Sequence, residues 1–162
     1  MAHFAELDGS NIVLRVIVID NDEVIANGGD ESTQAEEYVK NLVGLSENGV
    51  VWKQTSYNHN FRKTYAVRGF VYDGGRDIFR PEQPYPSWAL DENNDWRAPV
   101  AYPTVVEYDW DDKGKAAVIK APYYIHWDES ESKWIATSYP EADGSIQAFH
   151  TWNASTLLWE ND

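Results

Sequence analysis

The chain has 162 residues, 43% of them hydrophobic and 14% aromatic, which is enough to bury the core of one domain or of two small ones. Its formal net charge of −14 disfavours nucleic acid as a partner, and the lack of cysteine excludes disulfides and thiolate metal sites. No apolar run approaches the roughly 18 residues of a membrane-spanning helix, and the start MAHFAELDGS lacks the features of a signal peptide. We therefore expect no membrane insertion and no export by that route.

The start of the sequence predicts a strand in HFAELD, a turn in GSN and a second strand in IVLRVIVID. The second strand is a nearly continuous apolar run that only Arg15 interrupts. Such a run is typical of a central strand that is covered on both faces.

The segment STQAEEYVKNLVG predicts an amphipathic helix that could cover this strand. Its apolar stripe follows helical spacing at Ala35, Tyr38, Val39, Leu42 and Val43. Thr33 and Glu36 match a capping box, and Gly44 suits the end of the helix. We expect a helix over 33–43 and no other helix with comparable signals.

From Val50 onward the pattern indicates strands and turns only. VVWKQTSYN and FRKTYAVRGFVYD have the composition of strands, and YDGGRDIF predicts a hairpin whose Gly74 and Gly75 supply positive φ. Prolines become frequent after Phe79, which limits the length of central strands. We place a boundary between 81 and 86, with an N-terminal sheet-plus-helix domain over 1–82 and a β-hairpin repeat region over 83–162.

A short phrase recurs in this chain: an apolar residue, an acidic or amide turn, and a large aromatic six or seven positions later. Each copy predicts a hairpin in which the two apolar side chains face each other across neighbouring strands. The copies are YDGGRDIF at 72–79, LDENNDW at 90–96, WDESESKW at 127–134 and WNASTLLW at 152–159, and Trp110 could begin a degenerate fifth. Three copies continue into a Tyr-Pro pair, at Tyr85, Tyr102 and Tyr139. The predicted fold class is mainly β (α+β).

Motifs for catalysis or for metal binding are weak. His3, His59, His126 and His150 are far apart without ligand spacing, so we expect them on strand surfaces or in turns. Asp91, Asn93 and Asp95 match the start of a calcium loop, but Trp96 stands where that loop needs glycine and Tyr102 where it needs glutamate. No pair of carboxylates is singled out for acid–base catalysis. We predict no enzyme activity, no cofactor and no metal.

Basic residues are concentrated in the middle of the chain. Residues 50–80 contain six cations, Lys53, Arg62, Lys63, Arg68, Arg76 and Arg80, but only two acids, Asp73 and Asp77. This pattern fits a solvated sheet face, or a patch that docks on an acidic partner or on a second copy of the chain. The abundant tryptophans also suit carbohydrate stacking, with Trp88 and Trp110 as candidates. The candidate interaction surface is therefore Lys53, Arg62, Lys63, Arg68, Trp88 and Trp110.

Three segments of the sequence carry a resemblance to a known family. They are MAHFAELDGSNIVLRVIVIDN at the start, WKQTSYNHNFRKTYAVRGFVYD at 52–73 and PYPSWALDENNDWRAPVAYP at 84–103, and they cover about 60 of the 162 residues. They resemble small, largely uncharacterised proteins encoded by tailed phages of marine cyanobacteria and other marine bacteria. The family has no catalytic residues to carry over, and this chain departs from it after Pro103, where its tail is longer.

The resemblance implies a virion-associated protein that is made in the host cytoplasm. We accordingly expect a non-enzymatic structural protein of a tailed phage virion, a decoration or fibre-like component of the capsid or tail. Its partners would be other phage structural proteins or further copies of itself, with no nucleic acid. Two alternatives stay open: a receptor- or glycan-binding module that recognises the host surface, and a fibre-assembly chaperone.

Overall fold

The computed structural model describes residues 1–43, 50–110, 119–139 and 147–162. The chain divides into two compact units, Met1–Glu82 and Gln83–Asp162. Strands account for 41% of the structure and helices for 12%, which confirms the mainly β fold class.

The N-terminal unit is built on a three-stranded antiparallel sheet with two helices. Its elements in chain order are β1 (Ala2–Leu7), β2 (Val13–Ile19), α1 (Asn21–Ala26), α2 (Thr33–Val43), β3 (Val51–Thr55), β4 (Val71–Asp73) and β5 (Ile78–Arg80). The sheet has the order β2-β1-β3, and β4 and β5 form a separate hairpin.

The central strand of this sheet is β1, not β2 as the apolar run predicted. β3 pairs with the free side of β1, so β2 lies at an edge. Leu14 and Val18 on β2 are consequently 41% and 47% exposed, whereas Phe4 and Ala5 on β1 are fully buried. An apolar run alone does not distinguish a central strand from an edge strand, because pairing is decided by distant segments.

Helix α2 has the predicted bounds, but a different residue caps it. The Oγ of Ser32 accepts a hydrogen bond from the N–H of Ala35 at 3.1 Å, so Ser32 takes the role predicted for Thr33. Glu36 does not fold back on the cap and is bound elsewhere, as described below. Ala35 and Val39 are fully buried, while Leu42 is 58% exposed; Gly44 lies outside the described residues.

The short helix α1 was not predicted. Asp20 caps it by accepting a hydrogen bond from the N–H of Asp22 at 3.0 Å. Of its six residues only Val24 is buried, so a helical stripe was not visible in the sequence.

The sheet of the N-terminal unit is covered on both faces. On one face, Ala2 and Phe4 pack with residues of α1 and α2 and with Trp52. On the other, Ala5 and Leu7 pack with Val13 and with residues that follow β3; these are Ala66, Tyr72 and Phe79. The alternation of side chains along β1 therefore divides the core into two layers.

The segment 61–70 is not the strand that its composition predicted. It is an irregular chain in which Arg62 and Lys63 adopt positive φ, at 53° and 62°. The following hairpin forms as expected, but its positive φ of 52° belongs to Asp77 rather than to Gly74 or Gly75. Asp73 carries the turn, since its Oδ1 accepts hydrogen bonds from the N–H groups of Gly75 and Arg76.

The C-terminal unit consists of short antiparallel strands. They are β6 (Ala89–Leu90), β7 (Trp96–Arg97), β8 (Glu107–Trp110), β9 (Ile119–Pro122), β10 (Tyr124–Asp128), β11 (Lys133–Ser138), β12 (Ala148–Asn153) and β13 (Leu158–Asn161). β6 pairs with β7 and β8 with β9, while β10 to β13 form one four-stranded sheet in chain order. The last two hairpins are thus joined into one sheet by the pairing of β11 with β12.

The predicted apolar pairs face each other in all four hairpins. Leu90 stands opposite Trp96, and the aromatic pairs are Tyr72 with Phe79, Trp127 with Trp134, and Trp152 with Trp159. Their ring centroids lie 5.2, 5.1 and 5.1 Å apart, respectively. These tilted and edge-to-face arrangements are the favourable ones for aromatic pairs. For the fifth phrase, Trp110 faces Ile119, and residues 111–118 lie outside the described part.

Candidate functional site

Two cations of the predicted basic patch, Arg62 and Lys53, belong to an internal ion network of the N-terminal unit. Arg62 is 8% exposed and does not lie on the surface as predicted. Its Nη1 donates to Oε1 of Glu36 and to the carbonyl of Gln54, both at 2.8 Å, and its Nε donates to Oδ1 of Asp77 at 2.8 Å. A buried guanidinium needs such partners because an unpaired charge is costly to bury.

Lys53 and Tyr72 belong to the same network. The Nζ of Lys53 lies 2.6 Å from Oε2 of Glu36, which is why Glu36 cannot serve the helix cap. The hydroxyl of Tyr72 donates to Asp77, and burial together with this hydrogen bond raises the pKa of Tyr72. Burial alone would raise the pKa of Asp77, but Tyr72 and the nearby Arg62 lower it. The network ties α2, β3 and the β4–β5 hairpin together.

The other predicted cations are placed differently. Lys63 is half-buried and has an interaction partner, and Arg68 is exposed. Arg76 and Arg80 both approach Oδ2 of Asp73, at 3.2 and 3.5 Å. The structure therefore leaves Arg68 and Arg76 exposed, with Arg76 in contact with Asp73, whereas Arg62 is buried in the network.

The C-terminal unit contains an aromatic cavity of about 410 Å³. Its lining consists of Trp88, Trp96, Arg97, Ala98, Val100, Ala101, Tyr102 and Trp134. Trp88, one of the two predicted stacking residues, thus belongs to a site, whereas Trp110 does not line it. The volume falls within the range of about 300–1,000 Å³ that is usual for small-molecule sites.

One wall of the cavity is the extended segment RAPVAYP at 97–103. Its two prolines favour extended backbone in the residues before them. The indole N–H of Trp134 donates to the carbonyl of Val100 at 2.9 Å, and the ring of Tyr102 meets Trp134 edge-on with centroids 4.9 Å apart. Trp134 is 6% exposed and forms the floor, while Tyr102 is 56% exposed.

The opposite wall is Trp88, whose ring contacts Tyr85, Trp127 and Trp134. Glu129 fixes the chain beside it, because its carboxylate accepts hydrogen bonds from the N–H and hydroxyl of Ser87 at 2.8 and 2.7 Å. The same carboxylate accepts from the indole of Trp127 at 2.7 Å. These donors, first the Ser87 hydroxyl and then the Trp127 indole, lower the pKa of Glu129.

A salt bridge lies at the rim of the cavity. The Nε of Arg97 donates to Oδ2 of Asp91 at 2.9 Å, and the Arg97 side chain is 65% exposed. The other carboxylate oxygen, Oδ1, accepts from the N–H groups of Asn93 and Asp95 at 2.9 and 2.8 Å. These bonds, that of Asp95 first, lower the pKa of Asp91. The residues considered for a calcium loop thus build a hairpin turn.

The four histidines are dispersed. His59 and His126 are exposed and His3 is half-buried, and burial lowers the pKa of His3. His150 is only 7% exposed, so the expectation of a surface or turn position was wrong for it. Its Nε2 lies 2.8 Å from the Oγ of Ser138, and its Nδ1 has no hydrogen-bond partner in the described part of the chain.

The described residues contain no cluster of three or more histidine, aspartate and glutamate side chains placed to hold a metal ion. Within the same ranges, no helix has the length and apolar character needed to cross a membrane.

Sequence reasoning had assigned Trp96 and Trp134 to hairpin closure and so removed them from the set of ligand-binding candidates. The structure gives each of them both roles, since a ring that pairs across a hairpin can still line the cavity with other atoms. The sequence showed the Tyr-Pro exit of the second hairpin, but it did not show that this exit brings Tyr102 to Trp134 of the third hairpin.

Comparisons of the chain with protein-family models, with curated proteins and with solved structures give no match.

Proposed function

We propose that the chain is a non-enzymatic structural protein of a tailed phage virion, a decoration or fibre-like component on the capsid or tail. The observation that carries the proposal is the use of the acidic and aromatic residues of the C-terminal unit. They close hairpins, cap turns and tie extended segments to strands, as in Trp152 with Trp159 and in Glu129 with Ser87. A unit whose acidic and aromatic side chains serve its own fold in this way suits a displayed part of a particle.

The resemblance of three segments to proteins of tailed marine phages supports the same proposal. In this proposal the N-terminal unit attaches the protein to the particle and the C-terminal unit is displayed. The edge strand β2, with Leu14 and Val18 exposed, suits attachment because its edge beyond Val13, whose N–H and carbonyl are bonded to Phe70 and Gly69, can add a strand from another protein.

The test is the composition of purified particles of the phage that encodes the chain. Mass spectrometry should detect the protein in gradient-purified particles at a copy number that matches a symmetric site, and cryo-microscopy should show it as external density. A protein that is abundant in infected cells but missing from mature particles would instead be an assembly chaperone, and the proposal would be wrong.

A second candidate function is recognition of the host surface, which the aromatic cavity favours. Partly exposed rings of Trp88, Trp96 and Tyr102 around one concavity are the arrangement that this function requires. The purified protein should then bind lipopolysaccharide or cells of the host, and Trp88→Ala should reduce that binding. Equal binding by Trp88→Ala and by the unchanged protein would show that the cavity does not take part in host recognition.

A further inference from the structure

We infer that the aromatic cavity of the C-terminal unit binds one ring of a neutral pyranose sugar. The sugar's C–H face lies against Trp96 and Tyr102, and its hydroxyl groups meet the Arg97–Asp91 pair at the rim. The inference rests on the second candidate function, host-surface recognition, and adds to it the class of ligand and the residues that select it.

The walls of the cavity suit the apolar face of a sugar ring. The floor is the ring of Trp134, whose only N–H is already bonded to the carbonyl of Val100, so it offers carbon atoms and no donor. Tyr102 stands edge-on to this floor with more than half of its surface exposed. Because these flat aromatic rings stand at an angle to one another, the C–H groups of a sugar ring can contact more than one of them.

The charges of the C-terminal unit and of the cavity rim favour a neutral ligand over a charged one. Residues 83–162 include fourteen acidic and five basic side chains, so the field of the unit opposes an anionic sugar. A cationic ligand meets no carboxylate in the described lining, where Arg97 is the one charged residue. Because Asp91 neutralises Arg97 at 2.9 Å, neither sign is favoured at the rim.

The same pair supplies directional hydrogen bonds to hydroxyl groups. The hydrogen bond to Asp91 uses the Nε–H of Arg97, and a guanidinium has four further N–H donors. Asp91 is held by the N–H groups of its own turn, so the acceptor and the donor are both fixed before a ligand arrives. A fixed donor beside a fixed carboxylate can bond two neighbouring hydroxyls of a pyranose.

The experiment is a titration of the full chain with methyl β-D-glucopyranoside and with methyl α-D-mannopyranoside, followed by ¹H–¹⁵N spectra of the tryptophan indoles. We expect a dissociation constant in the millimolar range, because each probe has only about 13 non-hydrogen atoms. Signals of Trp88, Trp96 and Trp134 should shift, while those of Trp52 and Trp110 should not. Glucuronic acid and glucosamine, the charged probes, should bind at least about tenfold more weakly.

Single substitutions test whether the sugar binds in the aromatic cavity. Tyr102→Ala removes one wall and should weaken binding at least about tenfold, since an aromatic contact contributes on the order of 1 kcal/mol beyond its buried area. Tyr124→Ala is the matched control, because Tyr124 is an exposed tyrosine of the same unit, at 63%, that does not line the cavity. Arg97→Ala should also weaken binding and tests the rim if Tyr102→Ala does not fold.

The inference is overturned if neither neutral glycoside shifts the cavity indoles, or if Tyr102→Ala and Arg97→Ala bind as tightly as the unchanged chain. Preferential binding of choline or of a proline-rich peptide at these indoles would also overturn it. A sugar-binding protein that is missing from purified particles would refute the virion proposal and leave this inference intact, so the two failures are distinguishable.

Discussion

The two units of the chain are stabilised in different ways. In the N-terminal unit a sheet lies between two apolar layers, and the largest fully buried side chains of the described residues all belong to it: Phe4, Phe79, Leu7, Val13, Val39 and Thr55. In the C-terminal unit the most buried large side chains are Trp127, Trp134 and Trp152, each still 4–6% exposed. The N-terminal unit buries its apolar side chains in two layers on either side of a sheet. The C-terminal unit buries them mainly as pairs of aromatic rings.

This difference shows how hairpins that are too short for a layered core can hold a shape. Strands of two residues, such as Ala89–Leu90 and Trp96–Arg97, make few ladder hydrogen bonds. Indole N–H groups add bonds to carbonyls of distant segments, as from Trp134 to Val100 and from Trp159 to Val105, at 2.9 and 2.7 Å. A tryptophan therefore stabilises these hairpins both by burying apolar surface and by donating a hydrogen bond.

The largest expected effect is on the layered core. Phe4→Ala empties a fully buried site in the N-terminal unit and should reduce the free energy of unfolding by about 3–5 kcal/mol. Denaturant unfolding followed by the helical circular dichroism signal measures it, because both described helices lie in this unit. Leu42→Ala is the control, since Leu42 on α2 of the same unit is 58% exposed and should change stability by no more than about 0.5 kcal/mol. Equal effects of the two changes would contradict the layered core.

The next effect concerns the ion network of the N-terminal unit. Glu36→Gln removes the carboxylate between Arg62 and Lys53, and should cost about 3 kcal/mol because a buried guanidinium loses a partner. Asp77 still pairs with Arg62, which keeps the loss at the lower end of the range for broken buried pairs. Glu37→Gln, which affects an exposed pair with Lys40, is the matched control and should be near neutral. A loss for Glu36→Gln no larger than that of the control would refute the network.

A smaller effect, dependent on pH, tests the contact that positions Trp88. The pKa of Glu129 is lowered below its ordinary value of 4.5 in the folded protein, so the carboxylate stabilises the fold above that value. The stabilisation is lost as pH falls through the lower, folded pKa. Glu129→Gln should therefore be less stable than the unchanged protein near neutral pH, and the difference should shrink in acid. A difference independent of pH would exclude the carboxylate as its cause.

Local features of the chain could be predicted from the sequence, and features that join distant segments could not. The ring pairs were predictable because both members of each hairpin lie within eight residues, and α2 because its stripe is continuous. The edge position of β2 depends on β3, more than thirty residues later. The burial of Arg62 depends on Glu36, which is 26 residues away and was assigned to a cap.

The cavity could be predicted only in part. Trp88 was a candidate because it lies outside the aromatic ends of the hairpin phrases. The cavity, however, needs Trp88, the segment 97–102 and Trp134 to meet, and no local sequence pattern indicates such packing. Ser32 shows a related limit: it precedes Thr33, both can cap a helix, and only the backbone geometry decides between them.

The central claim is that ring pairs across the hairpins hold the C-terminal unit in shape. A double-mutant cycle with Trp152→Leu and Trp159→Leu tests it most directly, because neither residue lines the cavity and their centroids are 5.1 Å apart. Unfolding measured by fluorescence of the remaining tryptophans should give a favourable coupling of about 0.5–1.5 kcal/mol. A parallel cycle with Phe149→Leu and Trp159→Leu, a pair with no ring contact, should give a coupling near zero. Additive losses for Trp152 and Trp159 would contradict the account.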